Sequence, residues 1–257
     1  MQRPSIPPTY SNRKAMSDRI VAYYDAATPA QIAAGRNWYI EALEFASALA
    51  FEHGLDVRLT AGVLAVLSPN LSWTANKKAG SLLIALYSAG IRHVKPLGCA
   101  GYDANFEKAW RILLTRDSRS CTGTDVRSMT GSGRKVKCNG KHCGRCPIHG
   151  PKVAEFYRAI MGDTDCRTMD VWAIRASTIA MSRLANLRAD DPRRDGLPKG
   201  RMAIMQSAYS DAAARRGESP SVMQAIVWLV IRTHWVRADG SRNGVEADFT
   251  LDDANLA

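Results

Sequence analysis

Two groups of residues have the types and the spacing to do chemistry. The first is Gly150-Pro151-Lys152, followed by Asp170 eighteen residues after the lysine. Gly-Pro-Lys reads as the opening of a helix. Proline suits the first helical position, glycine lets the backbone approach a ligand, and the free N–H groups of a helix start can bind a phosphate. Asp170 stands at the next expected helix start, in Thr168-Met169-Asp170-Val171-Trp172. A carboxylate there is stabilised by the helix dipole and commonly serves as a cap. Taken singly, a capping aspartate and a solvated surface lysine explain each residue. The second group is Cys138-x4-Cys143-x2-Cys146, with His142 and His149 nearby and Cys121 upstream. Four soft ligands suit a structural zinc, and close spacing limits the loop entropy of closing the site. Cys138, Cys143 and Cys146 are the three best ligands, and Cys121, His149 or His142 is the fourth. Reduced thiols in a basic loop are the second choice and an iron–sulfur cluster the third.

The elements that must position these residues read as helices. Helical patterns run over about 12–26, from Thr28-Pro29 to about His53, over 59–67, 72–89, 103–114, 151–161, 170–184, 198–215 and 219–236. Thr28-Pro29 and Ser219-Pro220 each place a capping residue before a proline. Ser68-Pro69-Asn70 breaks the third helix. No segment alternates as a strand does and no repeat is present, so an all-α fold is expected. Residues 1–12 are proline-rich and expected to be a flexible N-terminus. Residues 13–237 form a single helical domain in two lobes, with a basic Cys-rich insertion at 117–149, and 238–257 form an acidic tail. Trp38, Tyr39, Trp228 and Trp235 are assigned to the core. Trp73 and Trp172 are candidates to meet a base.

Charge points to a partner. The 257 residues hold 35 Lys plus Arg against 24 Asp plus Glu, a net charge of +11. Such a surplus favours a polyanion, most often nucleic acid. Between Asp125 and Glu155 there is no acidic residue, while Arg134, Lys135, Lys137, Lys141 and Arg145 crowd the cysteines. A metal-ordered loop would present them to phosphates. No apolar run reaches the roughly 18 residues that span a bilayer. The first residues lack the apolar core of a signal peptide. The expected compartment is the cytoplasm, where these cysteines would not be held as disulfides.

Three segments, in order, resemble the helix-hairpin-helix DNA glycosylases of the endonuclease III superfamily. Residues 146–154, Cys-Pro-Ile-His-Gly-Pro-Lys-Val-Ala, are similar to the hairpin L-P-G-V-G-x-K-T-A. Residues 169–175, Met-Asp-Val-Trp-Ala-Ile-Arg, are similar to V-D-T-H-x-x-R at the same distance from the lysine as in bifunctional members. Residues 67–79, beginning Leu67-Ser68-Pro69-Asn70, resemble the L-S-x-Q-x-x-D segment. The sequence departs from the pattern at Ile148, which replaces the first hairpin glycine, and at Val171-Trp172, which replaces T-H. No cysteine follows Cys166, so the C-terminal cluster of some members has no counterpart. The resemblance spans about 55–180 and implies a divergent member with a two-lobed helical bundle.

That resemblance implies an enzyme that flips a modified or damaged base out of DNA and excises it. Asp170 would stabilise the positive charge that develops on the sugar or activate a water, and Lys152 would act as Schiff-base nucleophile in an AP lyase step. Asn70 would probe the gap left by the flipped base, Gly150 would hold a phosphate, and Trp172 would line the base pocket. A second reading keeps the fold and makes the enzyme a transferase on activated, hypermodified pyrimidines, as proposed for phage-associated relatives. A third is a non-catalytic, zinc-dependent DNA-binding module.

Overall fold

A computed structural model of the chain describes residues 13–121, 128–129, 135–136, 146–186 and 202–235. The described helices are α1 (Arg13–Asp25), α2 (Pro29–Glu52), α3 (Val57–Leu67), α4 (Trp73–Ser88), α5 (Asp103–Thr115), α6 (Pro151–Ile160), α7 (Val171–Thr178), a 3-10 segment Met181–Asn186, α8 (Met202–Arg216) and α9 (Pro220–His234). Four two-residue strands complete the described elements. β1 (Ser120–Cys121) pairs in parallel with β4 (Ile148–His149), and β2 (Ser128–Met129) pairs antiparallel with β3 (Lys135–Val136). The fold is mostly helical, as the sequence pattern predicts. No described helix is long and apolar enough to cross a membrane.

The chain divides into two compact units. Tyr39–Asp163 form one; the described residues up to Trp38 and from Thr164 onward form the other. α2 begins in the second of these and ends in the first.

In the Tyr39–Asp163 unit, α3 is the centre. Its sequence is apolar on every side, so it is covered on every side: Leu59 through Leu67 are all buried. Asp56 starts it by accepting from the Arg58 N–H at 2.8 Å. Two glycines allow neighbours to come close. A Cβ at Gly62 would lie 2.9 Å from Ile148 Cδ1, and one at Gly80 would lie 2.7 Å from Leu64 Cδ2. The turn after α3 brings Asn70 to a positive φ of 63°, a conformation asparagine tolerates better than most residues. Ser72 then caps α4 by accepting from the Ala75 N–H at 3.2 Å.

In the other unit α9 has the central place, with Ser221, Met223–Val227 and Leu229–Ile231 buried. Gly35 lets the first part of α2 lie against it; a Cβ there would fall 2.3 Å from Ile226 Cγ1. Thr28 and Gln31 form a reciprocal capping box at the start of α2, with the Gln31 N–H donating to Thr28 Oγ1 at 3.2 Å and the Thr28 N–H donating to Gln31 Oε1 at 2.9 Å. α1 packs on α8 through buried Met16 and Ile20 on one and Ala212 and Ala213 on the other. Arg13–Asp211, Arg215–Asp18 and Arg216–Asp25 pair along the edge of that packing.

One expected helix is corrected. The pattern over 170–184 predicts a single helix, but α7 ends at Thr178, Ile179 is extended at φ −114° and ψ 123°, and a 3-10 segment follows. Ser177 and Thr178 turn their hydroxyls onto the Ile174 carbonyl at 2.7 and 2.9 Å, a local bond that competes with helix continuation. The Tyr23 hydroxyl then donates to the Ile179 carbonyl at 3.1 Å. Residues 198–201, where another helix was expected to begin, lie outside the described residues, as do residues 1–12 and 238–257.

Candidate active site

Asp170 is the N-cap of α7. Its backbone is extended, and its Oδ1 accepts from the Ala173 N–H at 2.8 Å. The capping role read from the sequence is therefore real. The cap uses one oxygen only. Oδ2 accepts from the indole Nε1–H of Trp228, on α9, at 2.9 Å. Both donors are N–H groups without a titrating proton, and each favours the ionised carboxylate.

Aromatic rings and guanidinium groups surround this carboxylate's partners. The Trp228 ring lies 5.4 Å from that of Trp38, and the Arg232 guanidinium sits 4.4 Å from its centroid. Trp172, two residues beyond Asp170, packs edge-on to Trp235 at 5.3 Å. Arg175 lies 4.6 Å from the Trp172 ring and 4.2 Å from the Trp235 ring. The half-buried residues Asp170, Trp172, Arg175, Trp228 and Arg232 thus combine one carboxylate, flat π surfaces and two guanidinium groups. Arginine stacked on indole keeps its N–H edges in a fixed plane suited to phosphate or carboxylate oxygens.

The helix beneath is pinned. Tyr209 is fully buried and donates its hydroxyl to the Ala173 carbonyl at 3.0 Å. Burial pushes that hydroxyl well above the usual tyrosine range, and the charge of Asp170 acts in the same direction. Tyr209 therefore stays a neutral donor. With Tyr23 bonded to the Ile179 carbonyl, α7 is held in its first turn and just past its last residue.

Lys152 belongs to the Tyr39–Asp163 unit and Asp170 to the other; their spacing along the chain relates them. Lys152 is half-buried in the first turn of α6. Gly150 precedes that helix at φ 102° with no side-chain cap, and a Cβ at Gly150 would meet nothing within 4 Å. Only the positive φ, which L side chains rarely adopt, calls for glycine here. Ile148 is fully buried, with its Cδ1 against Gly62. The residue that stands in for the first hairpin glycine is a core side chain.

Asn70 is exposed, and its Nδ2 donates to the Tyr102 hydroxyl at 2.6 Å. Trp73 packs edge-on to Phe45 at 6.1 Å and to Phe156 at 6.3 Å, which gives this ring a packing role. Arg134, Lys137, Lys141, Arg145, Cys138, His142 and Cys143 lie outside the described residues; Lys135 and Cys121 are described in backbone alone. Cys146 is buried, His149 is half-buried, and the β1–β4 pairing sets Cys121 opposite His149. Among the described residues, no group of three His, Cys, Asp or Glu side chains is placed to hold a metal ion.

The sequence reading missed Trp228 as a partner of Asp170 and assigned it to the core. Trp235 is buried as expected. The available signal was the i, i+4 spacing of Trp228 and Arg232, which puts an indole and a cation on one face of a helix, with Trp235 three residues further on.

Residues 4–137 and 141–235 match the model of a family of unknown function, DUF7178. The chain belongs to that family. The DUF7178 match takes in all the described helices, leaves out Cys138, and stops before the acidic tail. No curated protein matches the chain, and no solved structure does.

Proposed function

We propose that this chain is a DNA glycosylase that flips out and excises a modified or damaged base. The observation that supports the reading is the Asp170 carboxylate, capped by Ala173 N–H and bonded to Trp228 beside indoles with arginines over their rings. Breaking a glycosidic bond builds positive charge on the sugar. A carboxylate held ionised by fixed N–H donors is organised to stabilise that charge without rearrangement. Trp172 offers a π face for the extruded base, and Lys152 would supply the amine for a lyase step. Asn70 and Gly150 would meet the DNA backbone or the vacated stack.

Zinc belongs to the proposal as a structural ion. Cys138, Cys143 and Cys146 would hold it, with Cys121 or His149 as the fourth ligand; the buried Cys146 and the half-buried His149 offer donors of the right softness. When bound, it would order the basic loop for contact with phosphates.

The test is mass spectrometry of released bases and residual nucleosides after incubation with DNAs carrying unmodified, damaged and hypermodified bases. A free base is expected from the native chain, and Asp170→Asn should reduce its release by more than a hundredfold while DNA binding persists. Borohydride trapping, lost in Lys152→Ala, would mark the lyase step. A base that gains mass and stays in the strand would replace this reading with a transferase. Tight binding with every base intact would replace it with a binding module.

A further inference from the structure

We infer that Trp228 is the positioning residue for Asp170, its indole N–H fixing the direction in which the carboxylate points. The inference rests on the reading of Asp170 as the working carboxylate and adds to it a residue that the capping motif does not contain.

A cap bond alone holds one oxygen. The Ala173 N–H fixes Oδ1 at 2.8 Å but leaves the carboxylate plane free to turn about that contact. The second bond, at 2.9 Å, comes from a different helix and fixes the plane. Indole Nε1 is a donor in every protonation state of the protein, so it offers nothing to a neutral carboxyl's own proton and favours the anion. Trp228 is itself held by Trp38 at 5.4 Å and by the Arg232 guanidinium at 4.4 Å. Tyr209 and Tyr23 secure α7, so the cap residue does not drift with its helix.

Among the described residues, the elements packed on α7 carry charged and titratable groups that include Arg232 on α9, Tyr209 on α8, and Tyr23 and Arg19 on α1, with Arg175 on α7 itself and Arg167 in the segment before the cap. All remain when Trp228 is replaced by phenylalanine, which keeps a six-membered ring for Trp38 and Arg232 and removes the donor together with the pyrrole part of the indole.

The experiment is a pH titration of the full chain labelled at aspartate 13Cγ, with the Asp170 signal identified by its loss in Asp170→Asn. In Trp228→Phe the Asp170 carboxyl should titrate about one pH unit higher than in the native chain. The acid limb of base release should move up with it. An independent reading uses the native protein alone: the Trp228 Nε1–H proton signal should move in step with Asp170 ionisation. This decides the matter even if Trp228→Phe does not fold. An unshifted carboxyl, or an indole proton indifferent to Asp170, overturns the inference; so does a shifted carboxyl with an unmoved acid limb. Neither titration needs DNA. The carboxyl shift without turnover on any DNA supports the Trp228–Asp170 coupling and overturns the glycosylase reading instead.

Discussion

Asp170 and Ile148 show how a residue's neighbours decide its meaning. At Asp170, the residue type and its place at a helix start were legible in the sequence, because a capping motif is local. Its second partner was not, because Trp228 lies fifty-eight positions away and reaches it only through the packing of α7 on α9. At Ile148, comparison with a hairpin pattern suggests a damaged phosphate turn. The structure gives the isoleucine a different task, since it is fully buried against Gly62. Ile148→Gly, which restores the pattern, should therefore destabilise the Tyr39–Asp163 unit. Removing a buried aliphatic side chain of this size costs about 2–5 kcal/mol, and the added glycine freedom increases the loss. Urea unfolding would read this as a lower midpoint. An unchanged midpoint would mean that β4 does not anchor the core.

At the scale of elements, the helix boundaries that could be read early are those written in local chemistry. Thr28-Pro29, Ser72 and Ser219-Pro220 announce their helices because capping involves neighbours three residues apart. The end of α7 is not written locally, since the Ile179 carbonyl goes to a tyrosine from α1. The ion pairs between α1 and α8 carry a pH prediction. Hydrogen bonds from Lys14, then from Arg215, hold the Asp18 carboxyl below the usual carboxylate range, and those from Arg216 do the same for Asp25. A carboxyl lowered on folding lends stability above its unfolded value, near 3.9, and that stability is lost as pH falls through the lower folded value. The unfolding midpoint should hold between about pH 7 and 5 and fall below about pH 4. These pairs are largely exposed, so solvent screening keeps the effect small and salt should reduce it further. In an Asp18→Asn, Asp25→Asn double variant, the midpoint should drop less between pH 5 and pH 3 than in the native chain.

Across the whole molecule, the net charge of +11 and the cluster of basic residues around Cys138, Cys143 and Cys146 make a joint prediction. If zinc orders that loop, a chelator should remove about one metal per chain and weaken DNA binding. The dependence of affinity on salt should become shallower, because fewer phosphates are then neutralised. Asp170 lies in the other unit, so its titration should survive chelation. Metal analysis, with binding measured at several salt concentrations, checks both halves. The clustering of basic residues and cysteines is legible in composition and spacing, whereas the division of the chain into units emerges only from packing.

That division sets an order of assembly. The Tyr39–Asp163 unit is one uninterrupted stretch of chain, whereas its neighbour is built from two stretches that flank it. As the chain leaves the ribosome, the inner stretch can bury α3 as soon as α6 has emerged. Met16 and Ile20 on α1 are made before the inner stretch, yet the helices that pack on α1, namely α7, α8 and α9, all follow that stretch. Closing that long loop is the step with the largest separation along the chain, and hence the slow one. The part of the molecule that carries Asp170 is thus the last to become native. A ribosome stalled before α9 would hold out a finished inner unit and an Asp170 still without its Trp228 partner.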